Sequence, residues 1–253
     1  APNADGKTAV NADKEKVRRL WDNYYVPYVS GWFNSLGKFR SDDVKTGDIL
    51  AYTGSSSSAA YFPDQVIGDE ESYPIDYAIL PAPVFEGGDE MHVQQGAGMC
   101  VTKSDATHEY AACEFLKWFT QKENSLTFAC ASSYLPVRND ANTVEALDEV
   151  IEAGGLSISS KTYDCLKEIM ASYDPDKFYS ASCFENGYAT RKVLDYDLSD
   201  KAKADREAVD EQVAQGVSRA EALEPYVSDE AFDAWYEGLC SQLEAKAHPQ
   251  SAE

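Results

Sequence analysis

The residues best placed to do chemistry lie in a serine-rich run. Largely apolar residues 48–53 lead to Gly54 and then to Ser55, Ser56, Ser57 and Ser58, with apolar Ala59, Ala60, Tyr61 and Phe62 behind them. A strand feeding such a turn and then a helix would expose backbone N–H groups beside hydroxyls. That combination suits sugar hydroxyls, carboxylates or phosphate. Serine is equally favoured in an ordinary capped loop, so the spacing alone leaves both readings open. Aromatic side chains supply a second chemistry. Their rings stack on the apolar C–H faces of sugars while their O–H or N–H groups bond hydroxyls. The stripes that hold Trp118 and Trp235 read as packing. Tyr134 differs, because it precedes Leu135 and Pro136 and so falls on a turn.

Bond-making chemistry finds less support. The three histidines, His92, His108 and His248, are isolated. There is no HExxH or clustered His/Cys pattern for a metal, no phosphate loop, no dinucleotide fingerprint and no nucleophile elbow. No cofactor is expected. A glycosidase would need two positioned carboxylates, and nothing singles out a pair among 44 acidic residues. An enzyme is the weaker reading.

The formal charge of −22 argues against phosphate backbones and anionic lipid heads as partners. No segment is apolar and long enough to span a membrane. The first residues carry no basic and apolar leader, so an export signal would have been removed or would lie outside this chain. The six cysteines, Cys100, Cys113, Cys130, Cys165, Cys183 and Cys240, form no CxxC pair. Several, Cys100 and Cys113 among them, fall at apolar positions and read as buried free thiols. An even count in an exported protein keeps disulfides open.

These residues need elements to hold them. Residues 1–13 read as a flexible tail. Val17, Leu20, Trp21 and Tyr24 have helical spacing, interrupted by Pro27 and Gly31. Strands are expected at 48–53, 75–80 and 93–102, with a short helix beginning near Ala59 and closed by Pro63. Residues 64–74 read as an acidic loop. Helices follow at about 104–120 and 122–131. Asn142 and Glu145 form an Asn-started capping box for a helix that ends at Gly154 and Gly155. Another helix spans about 161–173, and a third starts near Glu185. Residues 195–215 are dense in charge and read as a solvated helix or helical linker. Ser218 and Glu221 make a capping box, and Phe232, Trp235, Tyr236, Leu239 and Leu243 make an apolar stripe on the last helix. Strands alternating with helices argue for an α/β class, helix-rich after residue 140.

The order of pieces from Thr46 to Asp140 resembles the extracellular solute-binding proteins of carbohydrate-type ABC importers, the family of maltose- and glycerol-3-phosphate-binding proteins. The pieces are Gly47 to the serine turn, then Leu80-Pro81-Ala82-Pro83, then Gln94 to Ser104 with Gly96 and Gly98. Ala112 to Thr120 follows, and Tyr134-Leu135-Pro136-Val137 closes the series. The resemblance is strong over 46–140 and soft elsewhere. It implies a type II periplasmic-binding-protein-like C-terminal lobe built from residues 14–94 and 136–253, with 95–135 crossing to the N-terminal lobe. It also implies that an N-terminal lobe, on the order of 100–150 residues, is missing from this chain. The implied ligand contacts are Gly54, Ser55, Ser56, Ser57, Gln95, Gly96, Tyr134 and Arg191. Tyr134 would stack on the solute or hydrogen-bond it. Arg191 would donate to it in bidentate fashion, or else be a surface charge, and Gln95 could instead be a hinge residue. The implied partners are a small-molecule solute, a carbohydrate by preference, and membrane permease subunits. The implied location is extracellular or periplasmic, with a lipoprotein anchor. A carbohydrate-active enzyme or accessory module, and an acidic cell-surface interaction module, are the alternatives.

Overall fold

The structure is a computed structural model and describes residues 9–68, 71–181 and 183–248. In chain order its elements are α1 (Lys14–Leu20), a π turn (Trp21–Tyr25), α2 (Val26–Ser30), α3 (Arg40–Lys45), a 3-10 turn (Ser56–Tyr61), β1 (Gln65–Ile67), β2 (Ser72–Pro74) and β3 (His92–Val93). Then come α4 (Ala106–Phe119), α5 (Lys122–Ser132), a second 3-10 turn (Asn139–Ala141), α6 (Val144–Gly154), α7 (Ser160–Ala171), a third 3-10 turn (Pro175–Lys177) and β4 (Phe178–Tyr179). The chain closes with α8 (Gly187–Ala214), α9 (Arg219–Val227) and α10 (Asp229–Ala247). The described part is helix-rich with few strands, which is compatible with an α/β fragment, and after residue 140 it is almost wholly helical. Two compact units divide the chain: Ala1–Ser35 joined with Ala181–Glu253, and Leu36–Ser180.

The first unit is helical and has its own core. Trp21, Tyr25, Tyr28 and Val29 from the N-terminal stretch bury against Ala202, Val209, Ala222 and Phe232 of the C-terminal helices. Pro27 does not interrupt the first helical stretch as its sequence suggests. Proline lacks an N–H and crowds the carbonyl four residues back. A π turn immediately before it widens the helix, with the Val26 N–H donating to the Trp21 carbonyl, and Pro27 then sits in the first turn of α2. Gly31 caps α2 at φ 96°, a left-handed conformation that glycine adopts without strain. The charge-dense span 195–215 is neither a linker nor a wholly solvated helix. It belongs to the single long helix α8, which buries Val193, Ala202 and Val209. Ser218 accepts from the Glu221 N–H to cap α9, and the α10 stripe buries Phe232, Leu239 and Leu243.

The second unit is centred on α5, α6 and α7, whose Leu126, Ala129, Leu147 and Leu166 form its core with Ala141. Asp43, 2% exposed, organises the segment before the serine run. It accepts from the Gly37 N–H at 2.6 Å and from Arg40, and its carbonyl takes the Asp48 N–H at 2.8 Å. The expected strands at 48–53 and 75–80 do not form, and that at 93–102 is reduced to its first residue, paired in β3. A strand needs a neighbour to take its backbone groups along its length; among the described residues 48–53 and 75–80 have no ladder partner, and past Val93 the Gln94 N–H alone continues the pairing, to the Tyr179 carbonyl. The ladders that do form are short: β1 pairs antiparallel with β2, and β3 pairs parallel with β4. The hairpin lies inside the expected acidic loop, of which residues 69 and 70 are outside the described residues. Of the expected flexible tail, residues 1–8 are likewise outside them.

Two packing expectations are also corrected. Trp235 is packed and donates to Asp197 at 2.7 Å, but Trp118 is 52% exposed and α4 buries no residue at all. Cys100 and Cys113 are exposed rather than buried, while Cys130 and Cys165 are buried. All six thiols are free.

Candidate functional site

The serine run folds as a 3-10 turn rather than an α-helix start. Three of its hydroxyls make bonds within the run: Ser58 Oγ donates to the Ser55 carbonyl at 2.6 Å, and Ser55 and Ser57 share a hydroxyl contact of 3.0 Å. Tyr52 OH donates to the Ser58 carbonyl at 3.2 Å, and the Tyr52 ring stacks on Phe62. Underneath lies α7. Cys165 Sγ donates to the Ser56 carbonyl at 3.5 Å, and Lys161 Nζ donates to the Phe62 carbonyl at 2.6 Å and pairs with Asp64. Burial pushes the Cys165 thiol above its ordinary pKa, so it stays a neutral donor. Gly54 permits the turn to close: a Cβ there would meet Ser58 Oγ at 2.2 Å. Gly54 and Ser55 are exposed, and Ser56 and Ser57 half-buried.

Gln95 and Gly96 are exposed on extended chain just past β3. That chain is anchored at Gln94, whose N–H donates to the Tyr179 carbonyl at 2.8 Å, and whose Oε1 accepts from Ser180 at 3.3 Å.

Tyr134 stands at the end of α5. Ser133, buried, ends that helix at φ 60° and donates its N–H to the Ala129 carbonyl at 2.7 Å. The Tyr134 N–H donates to Ser132 Oγ at 3.3 Å, and its ring is tilted against Phe128 at 6.3 Å. Phe128 continues into a row of rings, Phe119, Phe115 and Trp118. At 46% exposed, Tyr134 offers a ring face and a hydroxyl to solvent.

The serine turn, Gln95, Gly96 and Tyr134 therefore all belong to the second unit, whereas Arg191 lies on an exposed face of α8 in the first. What the second-unit set presents is hydroxyls, peptide groups and an aromatic face. Groups of these types can contact a polar solute. Among the described residues no group of three His, Cys, Asp or Glu side chains is arranged to hold a metal ion.

Three residues that support this set were missed in the sequence. Lys161 and Cys165 read only as parts of a helix. Asn142 read as a helix cap, yet Thr143 caps α6, and the Asn142 carboxamide instead donates to the Pro136 and Arg138 carbonyls at 2.8 and 2.9 Å.

Comparison with known protein families matches residues 1–155 to the bacterial extracellular solute-binding proteins. No curated protein and no solved structure matches the chain. With more than half its length matched, the chain belongs to the bacterial extracellular solute-binding proteins.

Proposed function

We propose that this member of the bacterial extracellular solute-binding proteins captures a sugar or sugar-like solute for an ABC importer. The family match over residues 1–155 carries the reading, because it covers the serine turn, the Gln95–Gly96 segment and Tyr134 together. The chemistry of those groups supports a neutral, hydroxyl-rich solute: serine hydroxyls and peptide groups for polar contacts, a half-exposed tyrosine for stacking. The acidic balance of the chain tilts the same way, away from anionic solutes. Gly54, Ser55, Ser56, Ser57, Gln95, Gly96, Tyr134 and Arg191 are the proposed contacts. The protein acts as a non-enzymatic receptor outside the membrane, anchored as a lipoprotein, and delivers its load to permease subunits.

In this proposal residues 14–94 and 136–253 form a type II C-terminal lobe, and 95–135 crosses to an N-terminal lobe supplied by further sequence. Surface chemistry supports it. Leu50, Leu80 and Met99 are all more than half exposed on chain without ladder partners, and α4 shows solvent Tyr110, Phe115 and Trp118. Exposed apolar side chains of this size are what a further lobe would cover. A hydrophobic dye should bind the isolated chain and release when the complete protein is assembled.

The deciding measurement is a thermal-shift screen of the full-length protein against mono- and oligosaccharides, glycerol phosphodiesters and short peptides. A bound sugar at a hundredfold excess over its dissociation constant stabilises by about 2.7 kcal/mol. Stabilisation by peptides alone, or by no member of the panel, would sink the sugar reading. An unchanged sugar affinity in Tyr134→Ala would remove Tyr134 from the site.

A further inference from the structure

We propose that Asn142 is a positioning residue for Tyr134. Its purpose rests on the reading of Tyr134 as a solute contact, whereas its geometry stands without that reading.

Between α5 and α6 the chain makes a loop whose inner residues are buried and whose outer residues are not. Ser133 and Asn142 are each 2% exposed, Ala141 has no exposed surface and Pro136 is buried; Tyr134 and Val137 face solvent at 46% and 74%. One carboxamide holds the loop in that shape. Asn142 Nδ2 reaches six residues back to the Pro136 carbonyl and four back to the Arg138 carbonyl. The Asn142 N–H donates to the Asn139 carbonyl at 3.1 Å. Asn139 is held in turn by Tyr173 OH at 3.1 Å, from the end of α7. Tyr134 lies in the chain between the left-handed Ser133 and this set of bonds, so its backbone is held on both sides.

Only one side chain suits the position. Two carbonyl oxygens need two protons from one nitrogen, at a distance that a single methylene spans. Aspartate would place acceptor against acceptor, and leucine would leave both carbonyls without a donor. Asn142 Oδ1 is buried and has no partner among the described residues. That orphan acceptor carries a desolvation cost. Only the loop bonds offset it, so the loop geometry is what the residue supplies.

The test installs 3-fluorotyrosine at position 134 alone and follows its fluorine resonance in the full chain. In Asn142→Asp near neutral pH the resonance should move toward that of a solvent-exposed fluorotyrosine. It should return part way on acidification, because a protonated carboxyl can donate one bond again. In Asn142→Leu the shift should persist at every pH. Fluorotyrosine placed at 163 should not move in either variant. Should Asn142→Asp not fold, Asn142→Ser, which keeps one donor and does not titrate, should give a smaller shift than Asn142→Leu that is the same at every pH. A resonance at 134 unchanged in the folded variants, or an equal shift at 163, overturns the proposal. On a sugar found to bind, Asn142→Asp should weaken affinity at least tenfold in the parent and not at all in a Tyr134→Ala background. If Tyr134→Ala leaves affinity unchanged, the solute reading fails, and the fluorine result still decides the positioning role.

Discussion

Replacing Tyr25 by Phe tests the helical unit at a part-buried polar contact of its core. The Tyr25 ring has no exposed surface and stacks on Trp21 at 3.8 Å. Its hydroxyl donates to the Asp205 carboxylate at 2.5 Å, and Lys201 reaches the same carboxylate at 2.8 Å. The ring packing survives the substitution, so the loss is confined to the hydrogen bond. A bond to a charged acceptor contributes about 1.5–3 kcal/mol. Asp205 keeps its lysine and some solvent, which sets the expected loss at or just below the low end of that range, about 1–2 kcal/mol. Burial, reinforced by the Asp205 carboxylate, raises the Tyr25 pKa well above its ordinary 10.0. The folded state therefore keeps the phenol proton where the unfolded chain releases it. By linkage this contribution is complete below about pH 10 and falls above it by about 1.4 kcal/mol per pH unit. Urea unfolding of the parent and Tyr25→Phe from pH 8 to 11, followed by tryptophan fluorescence, reads both effects. The remaining tyrosines titrate alike in the two proteins and cancel. The parent should be more stable at pH 8, and the gap should narrow by about 1.4 kcal/mol between pH 10 and 11. A gap of zero at pH 8, or one that stays constant to pH 11, refutes the reasoning.

Gly31→Ala should cost about 2 kcal/mol, since a left-handed alanine is strained by roughly 1–2 kcal/mol and its Cβ would stand 2.7 Å from the Arg206 guanidinium. Gly155→Ala, left-handed but in open space, should cost only the strain, and equal losses in the two variants would show that Arg206 yields freely. Leu147→Ala removes a side chain with no exposed surface from the core of the second unit; denaturant unfolding should show a loss of about 2–5 kcal/mol, and a loss under 1 kcal/mol would mean that this core is not formed. A thiol reagent should label Cys100, Cys113 and Cys183 at once and reach Cys130 and Cys165 only after denaturation, because burial both hides these two and pushes their pKa up; immediate labelling of Cys130 would contradict the packing of α5.

Helices were legible in the sequence and strands were not, for one physical reason. A helix satisfies its backbone within itself, so Asp105 before α4, Gly155 after α6 and Ser218 before α9 mark real boundaries. The alternation in residues 75–80 is also real: Ile75, Tyr77 and Ile79 turn inward while Asp76, Ala78 and Leu80 are exposed. Periodicity says which face of such a segment is apolar, but not whether a partner lies beside it. Residues 48–53 and 75–80 have the composition of strands and, among the described residues, lack the neighbour that would make them so.

The candidate site divides along the same line. The serine run and Tyr134 stand out by residue type, and both are found half-exposed or exposed in one unit. Their supports depend on contacts far along the chain, such as Lys161 to Phe62, which no local pattern announces. Asn142 shows how a local rule fails. Asn142 and Thr143 are both good helix caps, and either could have opened α6. Thr143 takes that role, accepting from the Ala146 N–H at 3.1 Å. A threonine hydroxyl can accept a backbone N–H as well as a carboxamide can, but it has one proton to give. The Pro136 and Arg138 carbonyls need two, so the carboxamide goes to the loop and the cap falls to its neighbour.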